Sequence, residues 1–456
     1  MKQDVFGQDV SLSTDAAMRC WNATMLAFLA HAAATPRHLG EVLTAEPGFA
    51  LGHAVKGMFY ILLGRRELMQ TARTALADAK SAAANATITA REQKFVDALD
   101  VWMQGYPGTA ANLLAGILQK HPEDSLAMKL EHATRFVLGD IAGMRRSIET
   151  VLPAYQPDHA GRGYLLGCYA FALEETGDYA RAEIAGRQAL WMAPDDAWGL
   201  HAVAHVHDMT ANAQAGIDWL TGREAAWDHC NNFRYHVWWH KALMHLDLGQ
   251  VDTVLALYDT EIRADRTDDY RDISNATSLL SRLELDGVDV GDRWDELADI
   301  CAARTEDGCL IFADLHYLLA LTGGNREAEA VHMLCRIARD AETCKDEVQE
   351  RMGNPGLSAA RGLYAFGEGD FSGAFRHLAA ARPAMQTAGG SHAQRDIFER
   401  LTIDAGIRAG QIDMAERFLN DRQARRAGTE DGYAAARRVL IDAARGRDAA
   451  QGALAQ

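Results

Sequence analysis

The stretch ETGDYARAEIAGRQALWMAPDD, residues 175–196, decides the fold. Within it Gly177, Ala182, Ala189 and Pro194 stand at relative positions 0, +5, +12 and +17. A glycine at the first position ends a helix in a left-handed cap, and a small residue at +5 lets two helices approach closely. Proline then stops the second helix. The spacing of these four residues predicts two short helices joined by a tight turn.

The same spacing of residues recurs along the chain. In QGYPGTAANLLAGILQKHPED, residues 104–124, the four positions are Gly105, Ala110, Ile117 and Pro122. Further copies centre on Gly139, Gly249, Gly369 and Gly410, with weaker ones at Gly64 and Gly323 and Ala211 in the glycine position of another. Successive copies from 105 to 249 are 34, 38, 34 and 38 residues apart, which is the period of a two-helix repeat. The sequence therefore predicts an all-α protein, a right-handed α-solenoid of about nine to ten degenerate tetratricopeptide-like hairpins.

This repeat pattern also predicts the domain organisation. We expect residues 1–25 to form an N-terminal extension and residues 26–445 to form one continuous superhelix. Residues 259–309 depart from the repeat and are interpreted as an irregular insertion, and residues 446–456 as a tail.

Composition restricts the partners. The 456 residues carry a net charge of −17, which disfavours nucleic acids and anionic membranes as partners. No apolar run reaches the roughly 20 residues that span a bilayer. Seven scattered cysteines without a CxxC pair are typical of reduced thiols, so we expect a cytoplasmic protein.

Two histidine-rich stretches give the candidate site. The first is WGLHAVAHVHDMT, residues 198–210, and the second is RYHVWWHKALMH, residues 234–245. In the tetratricopeptide phase, the concave groove is lined by the second, fifth, ninth and twelfth residues of the first helix of a repeat. In the first stretch these are Trp198, His201, His205 and Asp208. The second stretch adds His236 and His240, spaced i, i+4, and Trp239 as a surface for stacking.

Two further segments add candidates. GGSHAQRD, residues 389–396, has the signature of a helix start, because two glycines precede an N-cap Ser391 with glutamine three residues later. This places His392 in the first turn, where the helix dipole favours an anion, and Arg395 one turn behind. FADLHYLL, residues 312–319, offers Asp314 and His316 on an otherwise apolar helix.

Several runs resemble a known family: HAVAHVHDM, NNFRYHVWWHKALMHLDLG, LYDTEI, SLLSRLELDGVDVGDRW, FADLHYLLAL and GGSHAQRDIFERLTIDA. They are similar to the tetratricopeptide repeat protein 38 family over nearly the whole chain. The resemblance implies the helical-repeat fold and supports the choice of site, but it implies no reaction. This chain has Val237 where the family has asparagine.

Three functions remain open. In the first, the groove binds a small polar or anionic molecule. His201, His205 and His392 would be acid/base groups oriented by Asp208, and they would favour hydrolysis or a lyase-type proton abstraction. Trp198, His236, Trp239, His240, Asp314, His316, Ser391 and Arg395 would bind that substrate. The second is a scaffold that grips a peptide. The third is a metalloprotein in which His201 and His205 bind zinc, with His236, His240, His316 and Asp208 as possible further ligands. Val203 stands where HExxH needs its glutamate, so we expect no cofactor, with zinc as the alternative.

Overall fold

The structure, a computed structural model, describes the backbone of residues 1–454 and the side chains of residues 1–446. The helices of the first half are α1 (Asp15–Leu29), α2 (Thr35–Ala45), α3 (Ala50–Leu62), α4 (Leu68–Asn85), α5 (Ala90–Met103), α6 (Pro107–Leu118), α7 (Ser125–Leu138), α8 (Ile141–Val151), α9 (Arg162–Glu175), α10 (Tyr179–Met192), α11 (Ala197–Met209) and α12 (Ala213–Leu220). Those of the second half are α13 (Phe233–Asp247), α14 (Val251–Leu257), α15 (Tyr270–Leu285), α16 (Arg293–Ala302), α17 (Ile311–Gly323), α18 (Glu327–Thr343), α19 (Glu347–Arg351), α20 (Ser358–Gly367), α21 (Phe371–Ala381), α22 (His392–Arg408), α23 (Ile412–Arg425) and α24 (Gly432–Leu454). Short 3-10 helices lie at Leu152–Ala154, Glu224–Ala226 and Arg382–Ala388, and π-helical turns at Tyr258–Ile262 and Met352–Leu357.

The hairpin predicted from residues 175–196 is formed by α9 and α10, which pack against each other. Gly177 joins them with φ +82°, a left-handed conformation that glycine adopts without strain. Ala182 is fully buried where the two helices approach. Pro194 follows the end of α10, as the residue spacing predicts.

The same turn recurs at the other repeat positions. Gly105 has φ +92° between α5 and α6, and Ala211 takes φ +54° between α11 and α12, in the glycine role expected of it. The weak position at Gly323 is an exception. Gly323 belongs to α17, and Asn325 carries the positive φ of 55° instead. A Cβ on Gly323 would lie 2.6 Å from the Trp294 ring, so close packing explains this glycine.

By their contacts the helices divide into two compact units. The first unit is Met1–Val206, Thr221–Val237 and Lys345–Val348, and the second is His207–Leu220, Trp238–Cys344 and Gln349–Gln456. In both units, most helices pack against the next helix along the chain, with short connections between them. Helices that neighbour each other through short loops run antiparallel. The all-α, helical-repeat fold class is confirmed.

Residues 1–25, expected as an extension, pack within the first unit. Strands β1 (Lys2–Gln3) and β2 (Asp9–Val10) form an antiparallel hairpin, and α1 begins at Asp15. The side chains of Phe6, Val10 and Leu12 are buried. Burial of these three apolar side chains holds the segment against the rest of the first unit.

The segment 259–309, expected as an irregular insertion, contains two regular helices. After the π-helical turn come α15 and α16, and α15 is buried along most of its length. Irregular stretches remain at residues 263–269, 286–292 and 303–309, and in the second of these Gly287 and Gly291 have positive φ. In the predicted tail 446–456, α24 continues to Leu454, and the side chains from 447 onward lie outside the described residues.

Candidate functional site

In the first unit, α11 carries Trp198, His201 and His205 on one face. The i, i+3 and i, i+4 spacings stack these side chains along the helix. The rings of His201 and His205 lie 4.4 Å apart between centroids, and Trp198 lies 5.0 Å from His201. His201 is 1% exposed and His205 0% exposed, so these rings belong to the interior of the unit rather than to an open groove.

The second histidine stretch meets the first through His236. His236, on the first part of α13, places its Nε2 atom 3.2 Å from Nε2 of His201. His201 directs its other ring nitrogen, Nδ1, at the carbonyl oxygen of Trp198, 3.4 Å away. If Nδ1 of His201 is the donor, Nε2 is left as an acceptor that faces His236.

A carboxylate completes this group, and it is one that the sequence analysis did not single out. Glu174, near the end of α9, places Oε2 3.3 Å from Nδ1 of His205, and both side chains are fully buried. Glu175 is also buried, and one ligand atom each from Glu174, Glu175 and His205 lie within 4.8 Å of one another. Two consecutive acids in a helix that is otherwise buried and mostly apolar were the available signal. We call His201, His205, His236, Glu174 and Glu175 the His/Glu cluster.

Aromatic rings surround the His/Glu cluster. Phe171 stacks on His201 at 5.5 Å and meets His205 edge-on at 5.5 Å. Phe233 lies 5.1 Å from His201 and 5.6 Å from His236. His31, another residue that the sequence analysis missed, stacks on Trp198 at 5.4 Å. This shell keeps the imidazoles in an apolar environment.

The apolar environment sets the protonation of the histidines. Burial lowers the pKa of His201 well below its ordinary value, and the neighbouring His205 and His236 lower it further. His132, edge-on to Trp198 at 5.9 Å, has its pKa lowered to about 3 by burial and by Lys129. His132 and His201 are therefore neutral at pH 7. Burial acts in the opposite direction on a carboxyl, and it raises the pKa of Asp196 to about 7.

Three candidates from the two histidine-rich stretches, Asp208, Trp239 and His240, lie in the second unit. Trp239 and His240, on the later part of α13, are fully buried, and the Arg282 guanidinium lies 5.6 Å above the Trp239 ring. Asp208 does not pair with a histidine in the described contacts. Its carboxylate lies 3.2 Å from the guanidinium of Arg426, which also donates to the Asp208 carbonyl.

The capped turn expected in GGSHAQRD is confirmed. Ser391 is the N-cap of α22, its hydroxyl accepts from the Gln394 amide, and the Gln394 side chain accepts from the Ser391 amide. Gly389 and Gly390 both have positive φ, and their carbonyl groups accept hydrogen bonds from Arg395. The bonds from Arg395 fix the turn that precedes α22.

His392 and Arg395 both line a cavity of about 370 Å³ in the second unit. The charged residues of its wall are Arg382, Arg395, Asp396, Glu399, Arg422, Arg425 and Arg426. We call this the arginine cavity. Five guanidinium groups against two carboxylates make its wall cationic, although the whole chain carries −17.

Ion pairs hold the wall of the arginine cavity in place. Arg422 donates to Asp396 at 2.6 Å and to Asp431 at 2.6 Å. Burial by itself raises the pKa of Asp396, but Arg422 and Arg400 outweigh it and hold that pKa well below its ordinary value. Asp396 also lines a second cavity of about 400 Å³, whose wall includes Asp208, Asp286 and Arg437.

Asp314 and His316, predicted to bind substrate, have structural partners. Asp314 pairs with Arg336 at 2.8 Å, and Nδ1 of His316 lies 2.8 Å from the Phe312 carbonyl oxygen. Both side chains are fully buried, and neither lines the arginine cavity.

No protein-family model matches the chain. Among solved structures, the chain is similar to the human IFIT1 dimer with PPP-AAAA, at 14% identity and a TM-score of 0.39, over 96% of this chain and 97% of that one. It is also similar to yeast Tom70, at 10% identity and a TM-score of 0.36, over 94% of this chain and 88% of that one. A third is the tetratricopeptide domain of P58(IPK), at 10% identity and a TM-score of 0.20, over 76% and 88%.

These likenesses are too distant to say what the chain binds. Among the described residues, no helix has the length and apolar character needed to cross a membrane. All seven cysteines are free thiols. From the repeat spacing, the glycine-turn hairpins and the packing of successive helices, the chain is an all-α helical-repeat protein of the tetratricopeptide-like type.

Proposed function

We propose that this chain is a tetratricopeptide-like binding protein whose second unit recognises an acidic group of a polypeptide partner. The observation that carries the proposal is the cationic wall of the arginine cavity. Guanidinium groups bind carboxylates through paired, charge-assisted hydrogen bonds, so a cluster of arginines selects for acidic ligands.

Among the charged residues that line the cavity, guanidinium groups outnumber carboxylates. Glu399 accepts from both Arg382 and Arg425, each at 2.8 Å. Asp396 is likewise shared between Arg422 and Arg400. Asp421 and Asp431 add pairs to Arg382 and Arg422 from outside the lining. Arg382, Arg422 and Arg426 each contact two carboxylates in the same way, so an incoming carboxylate would join a network in which these charges are already shared.

The exposure of the arginines gives the cavity an entrance and a floor. The Arg425 side chain is 48% exposed, whereas those of Arg422 and Arg426 are 3% and 5% exposed. A ligand therefore meets Arg425 first, in water, and reaches the buried guanidinium groups at the floor. Charge interactions strengthen along this path because the effective dielectric falls.

The size of the cavity favours one acidic group of a longer ligand. A volume of about 370 Å³ is near the lower end of the range of small-molecule pockets, roughly 300–1,000 Å³. It accommodates a glutamate side chain or a carboxyl terminus, with the remainder of a peptide outside. The same volume supports a second candidate, a free small anion, and the experiment below separates the two.

Selection from a library of short random peptides with free carboxyl ends tests the proposal. We expect enrichment of peptides rich in aspartate and glutamate, or of particular carboxyl-terminal residues. The best peptide is then compared by calorimetry with its C-terminal amide, its glutamine and asparagine analogue, citrate and inorganic phosphate. Citrate or phosphate binding as tightly as the peptide would favour the small-anion function, and no enrichment of acidic peptides would refute the proposal.

Substitutions of single arginines in the arginine cavity test whether the peptide binds there. Arg425→Gln removes a half-exposed guanidinium at the entrance, and Arg395→Gln removes one beside the capped turn. We expect each to weaken peptide binding about tenfold, which corresponds to about 1.4 kcal/mol. Arg445→Gln is the matched control, because Arg445 pairs with Asp413 and Glu416 on the surface and lies outside the lining. Unchanged affinity in Arg425→Gln and Arg395→Gln would move the binding site elsewhere.

We also propose that the chain belongs to the tetratricopeptide repeat protein 38 family and works in the cytoplasm. The family runs HAVAHVHDM and NNFRYHVWWHKALMHLDLG supply three members of the His/Glu cluster, and seven free thiols fit a reducing compartment. A catalytic role for His201 and His205 has less support than binding, because an acid/base group must reach its substrate and these two are buried.

A further inference from the structure

We infer that the first unit contains a site for a divalent transition metal of the zinc class, with His201, His205 and His236 as ligands and Glu174 as the residue that orients His205. This site is separate from the arginine cavity and goes beyond the binding of an acidic partner. It uses a part of the molecule for which the proposed function has no need.

The donor atoms have the spacing of metal ligands. Nε2 of His201 and Nε2 of His236 are 3.2 Å apart. Two nitrogens that bind a tetrahedral zinc at about 2.0–2.1 Å are about 3.3 Å from each other. One ring nitrogen of His205 lies within 4.8 Å of a nitrogen of each of these two histidines. Small rotations of the rings are enough to bring three nitrogens to one metal position.

The surroundings orient these ligands. In metal sites, a ligating histidine donates its other ring N–H to a carboxylate or a backbone carbonyl, which fixes its orientation. His205 has Glu174 Oε2 3.3 Å from Nδ1, and His201 has the Trp198 carbonyl oxygen 3.4 Å from Nδ1. Both contacts are on Nδ1, so both rings present Nε2 to the metal.

Acidic side chains and an apolar shell flank the histidines. Glu174 and Glu175 are buried beside His205, where a carboxylate oxygen can orient or bind at a metal site. The rings of Phe171 and Phe233 keep the environment dry, which strengthens metal–ligand interactions.

The donor set selects the class of metal. Imidazole nitrogens suit zinc, cobalt, nickel and copper, whereas magnesium and calcium prefer oxygen ligands. The glutamate of HExxH is a general base and not a zinc ligand, so its absence at Val203 does not prevent three histidines from binding zinc. Glu174, which lies beside His205, comes from a different helix, α9.

Metal titration of the full chain tests the site. The protein is purified without a histidine tag or a metal column, treated with a chelator, and titrated with Co²⁺. We expect one equivalent to bind, with the intense visible absorption of four-coordinate cobalt, and Zn²⁺ to displace it at one equivalent. Native mass spectrometry should show one zinc per chain. No binding at one equivalent by either method would overturn the inference.

Substitutions assign the ligands. His236→Gln removes a ligand at the edge of the cluster, and we expect at least a 100-fold loss of zinc affinity. Glu174→Gln removes the orienting carboxylate, and we expect a 10- to 100-fold loss. His332→Gln is the matched control, because the His332 side chain is 58% exposed and pairs with Glu306. Equal affinities in wild type and His236→Gln would overturn the assignment.

A measurement on the wild type covers the case in which the variants do not fold. Zinc X-ray absorption of the loaded full chain should show ligands at about 2.0 Å, with the multiple-scattering pattern of three imidazoles. Fewer than two imidazoles around the zinc would overturn the site, whatever the variants show.

Discussion

Around α11, the first unit buries neutral imidazoles among aromatic rings, whereas around α22 and α23 the second unit buries paired guanidinium and carboxylate groups. His132 and His201 illustrate the first arrangement, and Arg422 with Asp396 and Asp431 illustrates the second. Both arrangements occupy helices of the same repeat type. The fold therefore tolerates two ways of burying polar groups, with different responses to substitution and to pH.

The difference comes from the cost of removing charge from water. A histidine can lose its proton and enter an apolar interior as a neutral ring, at the cost of a lowered pKa. An arginine retains its charge, so it is buried together with a carboxylate that compensates that charge. Arg422 is compensated by Asp396 and Asp431, which also contact Arg400 and Arg426.

The largest expected effect is on the paired charges of the second unit. Arg422→Gln removes the closest guanidinium of both Asp396 and Asp431 and leaves them with Arg400 and Arg426, so we expect the free energy of unfolding to fall by about 1.5–3 kcal/mol. Urea unfolding followed by circular dichroism measures the loss. The surface variant Arg445→Gln should unfold at the wild-type urea concentration. Equal midpoints for both variants would show that the buried pairs contribute little.

The effect of Arg422→Gln should depend on pH. The pKa values of Asp396 and Asp431 are held below the ordinary value of about 3.9. Stability from a carboxyl with a lowered pKa is present above its unfolded pKa, and it is lost as the pH falls through the folded pKa. The gap between wild type and Arg422→Gln should thus be constant from pH 7 to 5 and shrink below about 4. A gap that grows in acid would contradict the ion-pair explanation.

A smaller effect is expected at the two equivalent turns. Gly177 in the first unit has φ +82° and Ala211 in the second has φ +54°. A non-glycine residue in this region costs about 1 kcal/mol. We expect Gly177→Ala to lower the free energy of unfolding by about 1 kcal/mol, and Ala211→Gly to raise it by up to about 1 kcal/mol. Denaturant unfolding of the two variants measures both, and shifts of the same sign would break the equivalence of the turns.

The smallest expected effect concerns His132 of the first unit, whose imidazole should show no change of protonation. With its pKa lowered to about 3, His132 stays neutral from pH 8 to pH 5, whereas an ordinary histidine titrates near 6.5. Its imidazole carbon shifts in a two-dimensional NMR spectrum should therefore not move across that range. The assignment comes from the missing resonance in His132→Gln, and a midpoint near 6.5 would contradict the apolar environment described for this ring.

His132 and Asp196 affect the stability of the first unit with opposite signs. Because the folded pKa of His132 is below its unfolded value, this group makes the unit less stable as the pH falls from about 6.5. Asp196, with its pKa raised to about 7, makes the unit more stable as the pH falls through that value. Between about pH 4 and 6.5 their contributions offset each other.

The sequence was sufficient for features that depend on local chemistry. Gly177, Ala182 and Pro194 act within one hairpin, and Ser391 and Gln394 act within one helical turn, so their spacing alone predicts the structure. The substitution of Ala211 for glycine was predicted in the same way. These features are confirmed by the turns and caps of the structure.

The partners of the candidate residues could not be predicted, because they come from distant segments. Asp208 and Arg426 are 218 residues apart, and Glu174 reaches His205 from a different helix. The repeat phase gives the face of a helix but not the neighbour that faces it. For the same reason the sequence favoured Asp208 as the carboxylate of the histidines, whereas the one beside His205 is Glu174.

Asp396 has a consequence beyond its ion pairs, because it belongs to the walls of both cavities of the second unit. A ligand that displaces Arg422 from Asp396 in one cavity changes the charge that the other cavity presents to its own ligand. If both cavities take ligands, their occupancies would be thermodynamically coupled through this carboxylate. Each ligand must alter the affinity for the other by the same factor.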